Sequence, residues 1–147
     1  MISYESATTI ALPADAIFPW VAEPDRWDAW NGMSGGRWLT PGPIGVGSRT
    51  EATMRIGPFR RLTRWEIIEY QPGQLVTFRT LPGGPVDWTG SFAFEAAGSG
   101  TTVKAWGDVQ PNGMLRLLEP LMRAELPKEE AAELGRLKEL LEGRPDR

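Results

Sequence analysis

Between Ser48 and Gln110 the chain is cut by proline and glycine clusters at intervals of about one strand length. Pro58, Pro72-Gly73, Pro82-Gly83-Gly84-Pro85 and Gly98-Ser99-Gly100 separate five segments, 48–56, 61–71, 74–81, 86–97 and 101–110. Each segment alternates apolar and polar side chains with period two, the pattern of a strand with one buried face. Links this short join neighbouring antiparallel strands, so the segments predict a meander. After Pro111 the period changes to that of a helix. Met114, Leu117, Leu118, Leu121, Met122, Leu126, Leu134, Leu137 and Leu141 recur on one face, with Asn112 as a capping residue. Pro120 and Pro127 interrupt this pattern, which predicts one kinked helix or two in line.

Ahead of the meander, residues 2–12 read as a first strand ended by Pro13. Pro13-Ala14-Asp15 opens a short helix whose Pro19 belongs in its first turn, where the missing N–H costs nothing. Residues 23–30 form a second short helix with Pro24 at its start. From Gly32 to Gly47 turn residues dominate, with a short strand at 37–39. Gly42-Pro43-Ile44-Gly45-Val46-Gly47 has the look of a phosphate loop, but a strand follows it and not a helix, so it reads as a turn. Strands and helices are segregated along the chain, which is the α+β class. No linker divides residues 1–147, which read as one domain.

Composition excludes several chemistries. The chain has no histidine and no cysteine. Nucleophilic triads, disulfides, and imidazole or thiolate metal sites are therefore ruled out, and no metal or cofactor is expected. The absence of cysteine fits a reducing, cytoplasmic setting. A formal net charge of -3 offers no general attraction for nucleic acid. No apolar run reaches the ~20 residues of a membrane span, and the N-terminus does not read as a secretion signal.

The segments EPDRWDAWNG (23–32), GVGSR (45–49), EIIEYQPGQLVTFR (66–79), GSGTTVKAWGDV (98–109) and LGRLKELLEG (134–143), in this order, resemble the START-like, polyketide cyclase/dehydrase-like (SRPBCC, Bet v 1-like) superfamily. The resemblance covers nearly the whole chain. It implies a helix-grip fold, a curved antiparallel sheet of six to seven strands wrapped around a long C-terminal helix. It also implies a cavity between sheet and helix for an apolar or aromatic small molecule, in a family of carriers, binders and cyclases.

Strand parity then names the cavity-facing residues. In 48–56 these are Thr50, Ala52, Met54 and Ile56; in 61–71, Trp65 and Ile67; in 74–81, Val76 and Phe78. In 86–97 they are Trp88, Phe92 and Phe94, and in 101–110 Ala105 and Gly107, whose small size leaves room before the helix. Met114, Leu118 and Met122 face them from the helix, and Trp30 and Trp38, two of seven tryptophans, roof the entrance with Trp27. Trp106 falls on the outward face, a candidate homodimer contact. Arg49, Glu51, Arg55, Asp87, Lys104 and Asp108 also fall outward, Arg79 and Asp87 near the rim. Glu129, Glu130 and Glu133 read as the solvated face of the helix, so no catalytic residue is assigned. Three functions stay open: ligand binding, cyclisation or dehydration of a ligand in the same cavity, and a regulatory interaction module.

Overall fold

The protein is described from a computed structural model that covers residues 1–56 and 58–143, with Ile56 described by its backbone only. The inward position expected for the Ile56 side chain and the fraying expected at 144–147 lie outside the described residues. The elements run β1 (Ile2–Ile10), α1 (Ala14–Ala22), a 3₁₀ helix (Pro24–Ala29), β2 (Met33–Trp38), β3 (Arg49–Ile56), β4 (Phe59–Gln71), β5 (Leu75–Thr80), β6 (Val86–Ala97) and β7 (Gly100–Pro111). A second 3₁₀ helix (Gly113–Leu118) leads into α2 (Glu119–Glu142). All strand pairs are antiparallel, in the order β1-β7-β6-β5-β4-β3-β2. This is the expected meander from β2 to β7, with the N-terminal strand returning beside the last. The curved seven-stranded sheet and long terminal helix form the helix-grip fold. Among the described residues no helix is long and apolar enough to cross a membrane.

Four local expectations are corrected. The strand at 37–39 is longer, Met33–Trp38, because Gly35 and Gly36 hid its pattern. Those glycines are needed: Gly35 sits at φ 64°, and a Cβ on Gly36 would meet the Pro24 carbonyl oxygen at 2.0 Å. Pro19 lies in the middle of α1, where burial of Ile17, Phe18, Val21 and Ala22 offsets the missing hydrogen bond. Asn112 does not cap with its side chain, whose amide donates instead to the Gly84 carbonyl and the Asp87 carboxylate. Pro120 stands in the first turn of α2 and does not interrupt it, and the helix runs on through Pro127 to Glu142.

The start of the helical region also departs from a single apolar stripe. Residues 113–118 wind as a 3₁₀ helix with period three, which turns Leu115 and Leu118 toward the sheet. Met114, 84% exposed, is thereby directed to solvent together with Leu117. Further along, Leu134 and Leu137 are fully buried and fasten α2 to the sheet. Polar bonds fix the same helix beside β1: Lys138 donates to the Thr9 carbonyl, and Glu142 accepts the Ala11 N–H at 2.6 Å.

Candidate functional site

The concave face of the sheet is shared between two fillings. Toward one end α1 packs into it, with Phe18 5.2 Å from Phe94 and 5.7 Å from Tyr70 between ring centres. Toward the other end a cavity of about 690 Å³ remains between the sheet, α2 and the Pro24–Ala29 helix. Of the expected site residues, Trp30, Met54, Trp65, Phe78, Trp88, Phe92, Leu118 and Met122 line it. Aromatic rings meet edge to face around it: Trp27 on Phe78 at 5.4 Å, Trp30 on Phe92 at 6.2 Å, and Trp65 on Trp88 at 5.4 Å. The indole N–H groups of Trp27 and Trp30 donate to the Val21 and Trp20 carbonyls at 2.9 Å, which fixes both rings against α1.

The other expected positions do not reach the cavity. Thr50, Ala52, Ile67, Val76, Phe94 and Ala105 face inward as parity requires, but they are buried in the packed core. Parity assigns a face and not a position along it, and α1 covers part of that face. Trp38 pairs with Thr50, four residues along β3 from the cavity residue Met54, so it stands too far down the strand to roof the entrance. Met114 points to solvent for the helical reason given above. The room in front of Gly107 is taken: a Cβ there would lie 2.6 Å from the Tyr4 hydroxyl oxygen. Arg79 and Asp87 border a separate hollow with Arg49, Glu66 and Asp108, whereas Arg55 lines the cavity despite its outward parity.

A polar cluster in the cavity has no counterpart in the sequence reading. The reading of Glu129, Glu130 and Glu133 as one solvated face is corrected for two of the three. All three line the cavity, but Glu129 is exposed, whereas Glu130 is 7% exposed and Glu133 half-buried. Helical spacing of three sets them side by side on the sheet-facing side of α2, within hydrogen-bonding reach of each other. Glu133 accepts the Gly32 N–H at 3.1 Å, and Glu130 is in reach of the Tyr4 hydroxyl. Tyr4 in turn accepts the Trp88 indole N–H at 3.0 Å. Gly90 and Gly107 make this possible, since a Cβ on either would lie within 3.0 Å of the Tyr4 oxygen.

Burial dominates the electrostatics of this cluster. It raises the Glu130 carboxyl above the usual carboxylate range, and it raises Glu133 further with help from the neighbouring Glu130 charge. Burial, then the same Glu130 charge, lifts the Tyr4 phenol well above its ordinary value. The arrangement can donate and accept protons within an aromatic enclosure, which the surface charges cannot. Local patterning missed it because Tyr4 and Glu130 stand 126 positions apart, and buried glutamates imitate a charged helix face.

Residues 1–142 match the family described as polyketide cyclase/dehydrase and lipid transport. The chain belongs to this family. Solved structures agree on the fold. TTHA0849 from Thermus thermophilus superposes with a TM-score of 0.80 at 14% identity, covering 98% of this chain and 99% of that one. The di-domain ARO/CYC protein StfQ from the steffimycin biosynthetic pathway gives 0.76 at 16% identity, covering 97% of this chain and 52% of that one. Ara h 8.0201 gives 0.70 at 11% identity, covering 97% and 98%. The search of curated protein sequences returned no match. As a polyketide cyclase/dehydrase and lipid transport family member, the chain places its aromatic cavity between the sheet and the terminal helix.

Proposed function

We propose that the protein binds an apolar or aromatic small molecule in the cavity between the sheet and α2. The observation that carries this reading is the cavity itself: about 690 Å³, walled by Trp27, Trp30, Trp65, Phe78, Trp88 and Phe92. That volume is in the range of ~300–1,000 Å³ typical of small-molecule sites, and flat indole and phenyl walls favour planar ligands. Native mass spectrometry of freshly purified protein and titration with the neutral dye N-phenylnaphthylamine test it. The expected result is one bound molecule per chain, with binding weakened by Met122→Trp, whose indole takes up part of the cavity. Dye binding that is absent, or unaffected by Met122→Trp, overturns the reading.

A second reading is favoured by the Glu130, Glu133 and Tyr4 cluster. A cyclase or dehydratase needs a base and a proton donor within hydrogen-bond reach of its substrate, and these three groups supply both inside the cavity. Conversion of a bound polyketide-like substrate without added cofactor, abolished by Glu133→Gln, is the outcome this reading requires. Stoichiometric retention of unchanged ligand decides for binding alone.

A further inference from the structure

We propose that the molecule held in this cavity is an organic amine, whose ammonium group sits at Glu130 and Glu133 and whose hydrocarbon body lies against the indoles. The proposal rests on the ligand-binding reading above and names the chemical class of the ligand.

Four glutamates line the cavity, Glu125, Glu129, Glu130 and Glu133, together with the cations Arg55 and Lys128. Glu125, Glu129, Arg55 and Lys128 are exposed, whereas Glu130 is buried and Glu133 half-buried among the aromatic and aliphatic walls. Among the described residues, Glu130 has Tyr4 and Glu133 as neighbours, and Glu133 has Glu130 and the Gly32 N–H. Neither forms an ion pair with a lysine or arginine of the described chain. Arg136, one turn away, donates instead to Glu129 at 2.7 Å and to the Trp30 carbonyl at 3.0 Å. A carboxyl group drawn out of water is pushed toward its neutral form unless a cation joins it. An ammonium ion supplies that charge together with hydrogen-bond donors, favouring the ionised form. The walls suit the same ligand, because the faces of indole rings attract cations and their bodies bury hydrocarbon. An anion would meet four lining glutamates, against which Arg55 and Lys128 bring two positive charges.

A second observation, independent of the carboxyl groups, marks the enclosure as built for a decorated ligand. Trp65 is 4% exposed and lines the cavity, and its indole Nε1 has no hydrogen-bond partner among the described residues. A buried N–H donor left open costs free energy unless something accepts from it. Its ring centre lies 5.4 Å from that of Trp88, which bonds Tyr4 beside the carboxyl pair. The Nε1 atom is itself covered, so an oxygen or aromatic face on the body of the amine accepts this N–H once the Trp65 ring turns toward the cavity, while the ammonium remains at Glu130 and Glu133.

Three probes that differ only in their head group test the proposal: phenylbutylamine, phenylbutanol and phenylbutanoate, titrated by calorimetry at neutral pH. The amine is expected to bind wild-type protein about tenfold tighter than the alcohol, as a charge-assisted hydrogen bond at a partly buried carboxyl pair would give. The carboxylate is expected to bind weakest. In Glu130→Gln/Glu133→Gln the amine should fall to within about twofold of the alcohol, while Glu5→Gln/Glu139→Gln, an equal loss of two carboxylates at exposed positions away from the cavity, should leave the ranking intact. Alcohol or carboxylate binding as tight as amine binding in the wild type overturns the amine assignment and leaves the cavity reading standing. Failure of all three probes, and of N-phenylnaphthylamine, overturns the cavity reading and this inference with it. The wild-type ranking decides without the variants, so a variant that fails to fold does not affect the outcome.

Discussion

The Trp88 indole donates its N–H to the Tyr4 hydroxyl at 3.0 Å, joining β6 to β1 across 84 positions of sequence beneath α2. Their rings meet edge to face at 6.0 Å, and the Tyr4 oxygen rests in a gap left by Gly90 and Gly107. Tyr4→Phe keeps the ring but leaves the buried Trp88 N–H without an acceptor and Glu130 without its donor. Denaturant melts should show a loss of about 1–3 kcal/mol. A variant as stable as the wild type would mean that the bond does not hold the two strands together.

Gly107→Ala tests the same gap from the other side. The added Cβ would stand 2.6 Å from both the Tyr4 oxygen and the Thr89 carbonyl oxygen, closer than atoms can approach. The strand must shift, at about 1–3 kcal/mol or more, and the Tyr4 phenol must leave its place under Glu130. Loss of stability should be accompanied by a change in tryptophan fluorescence, since Trp88 loses its acceptor. An unchanged spectrum with unchanged stability contradicts the packing described.

The raised carboxyls make stability depend on pH with a definite sign. Glu130 and Glu133 have folded-state pKa values above the ordinary 4.5, so their protonated forms favour the fold. Their contribution is fully present below that ordinary value and is lost as pH rises through the elevated folded-state values. Each proton released on unfolding contributes a slope of about 1.4 kcal/mol per pH unit in that window. Glu133→Gln, which imitates the neutral form, should flatten this fall and leave the variant relatively more stable at alkaline pH. A wild-type profile that instead gains stability through that window would contradict burial as the dominant effect.

Ala105 and Met122 separate core from cavity. Ala105 is 2% exposed, lies between Ser6 on β1 and Phe92 on β6, and does not border the cavity. Ala105→Phe should therefore cost about 1–3 kcal/mol through overpacking. Met122→Phe, at the cavity, should keep stability within about 0.5 kcal/mol while weakening dye binding. If Ala105→Phe were neutral and blocked binding, the cavity would have to extend further along β7 than its walls indicate.

The anchoring of α2 is tested at Leu134, 2% exposed against the sheet. Leu134→Ala should cost about 2–5 kcal/mol in thermal or denaturant melts, whereas Leu117→Ala, at a residue 79% exposed, should cost almost nothing. Equal effects would place both leucines in the same environment.

Much of this architecture follows from local pattern. The period of two between Ser48 and Gln110, cut by Pro72-Gly73 and Gly98-Ser99-Gly100, is a direct consequence of side chains alternating across a strand. It determined five strands, their antiparallel pairing and the inward parity of Trp65, Trp88 and Ala105. The later period of 3.6 determined a terminal helix and the burial of Leu134 and Leu137. Periodicity reports which face is buried, however, and not what buries it. Only tertiary packing set α1 over Phe94 and left Phe92 facing space, because that depends on where a nine-residue helix lands on a curved sheet. Only tertiary packing also brought Tyr4, Trp88, Glu130 and Glu133 together. A glutamate on a helix looks solvated in sequence, and whether it faces water is decided by the rotation of that helix against a strand more than a hundred positions away.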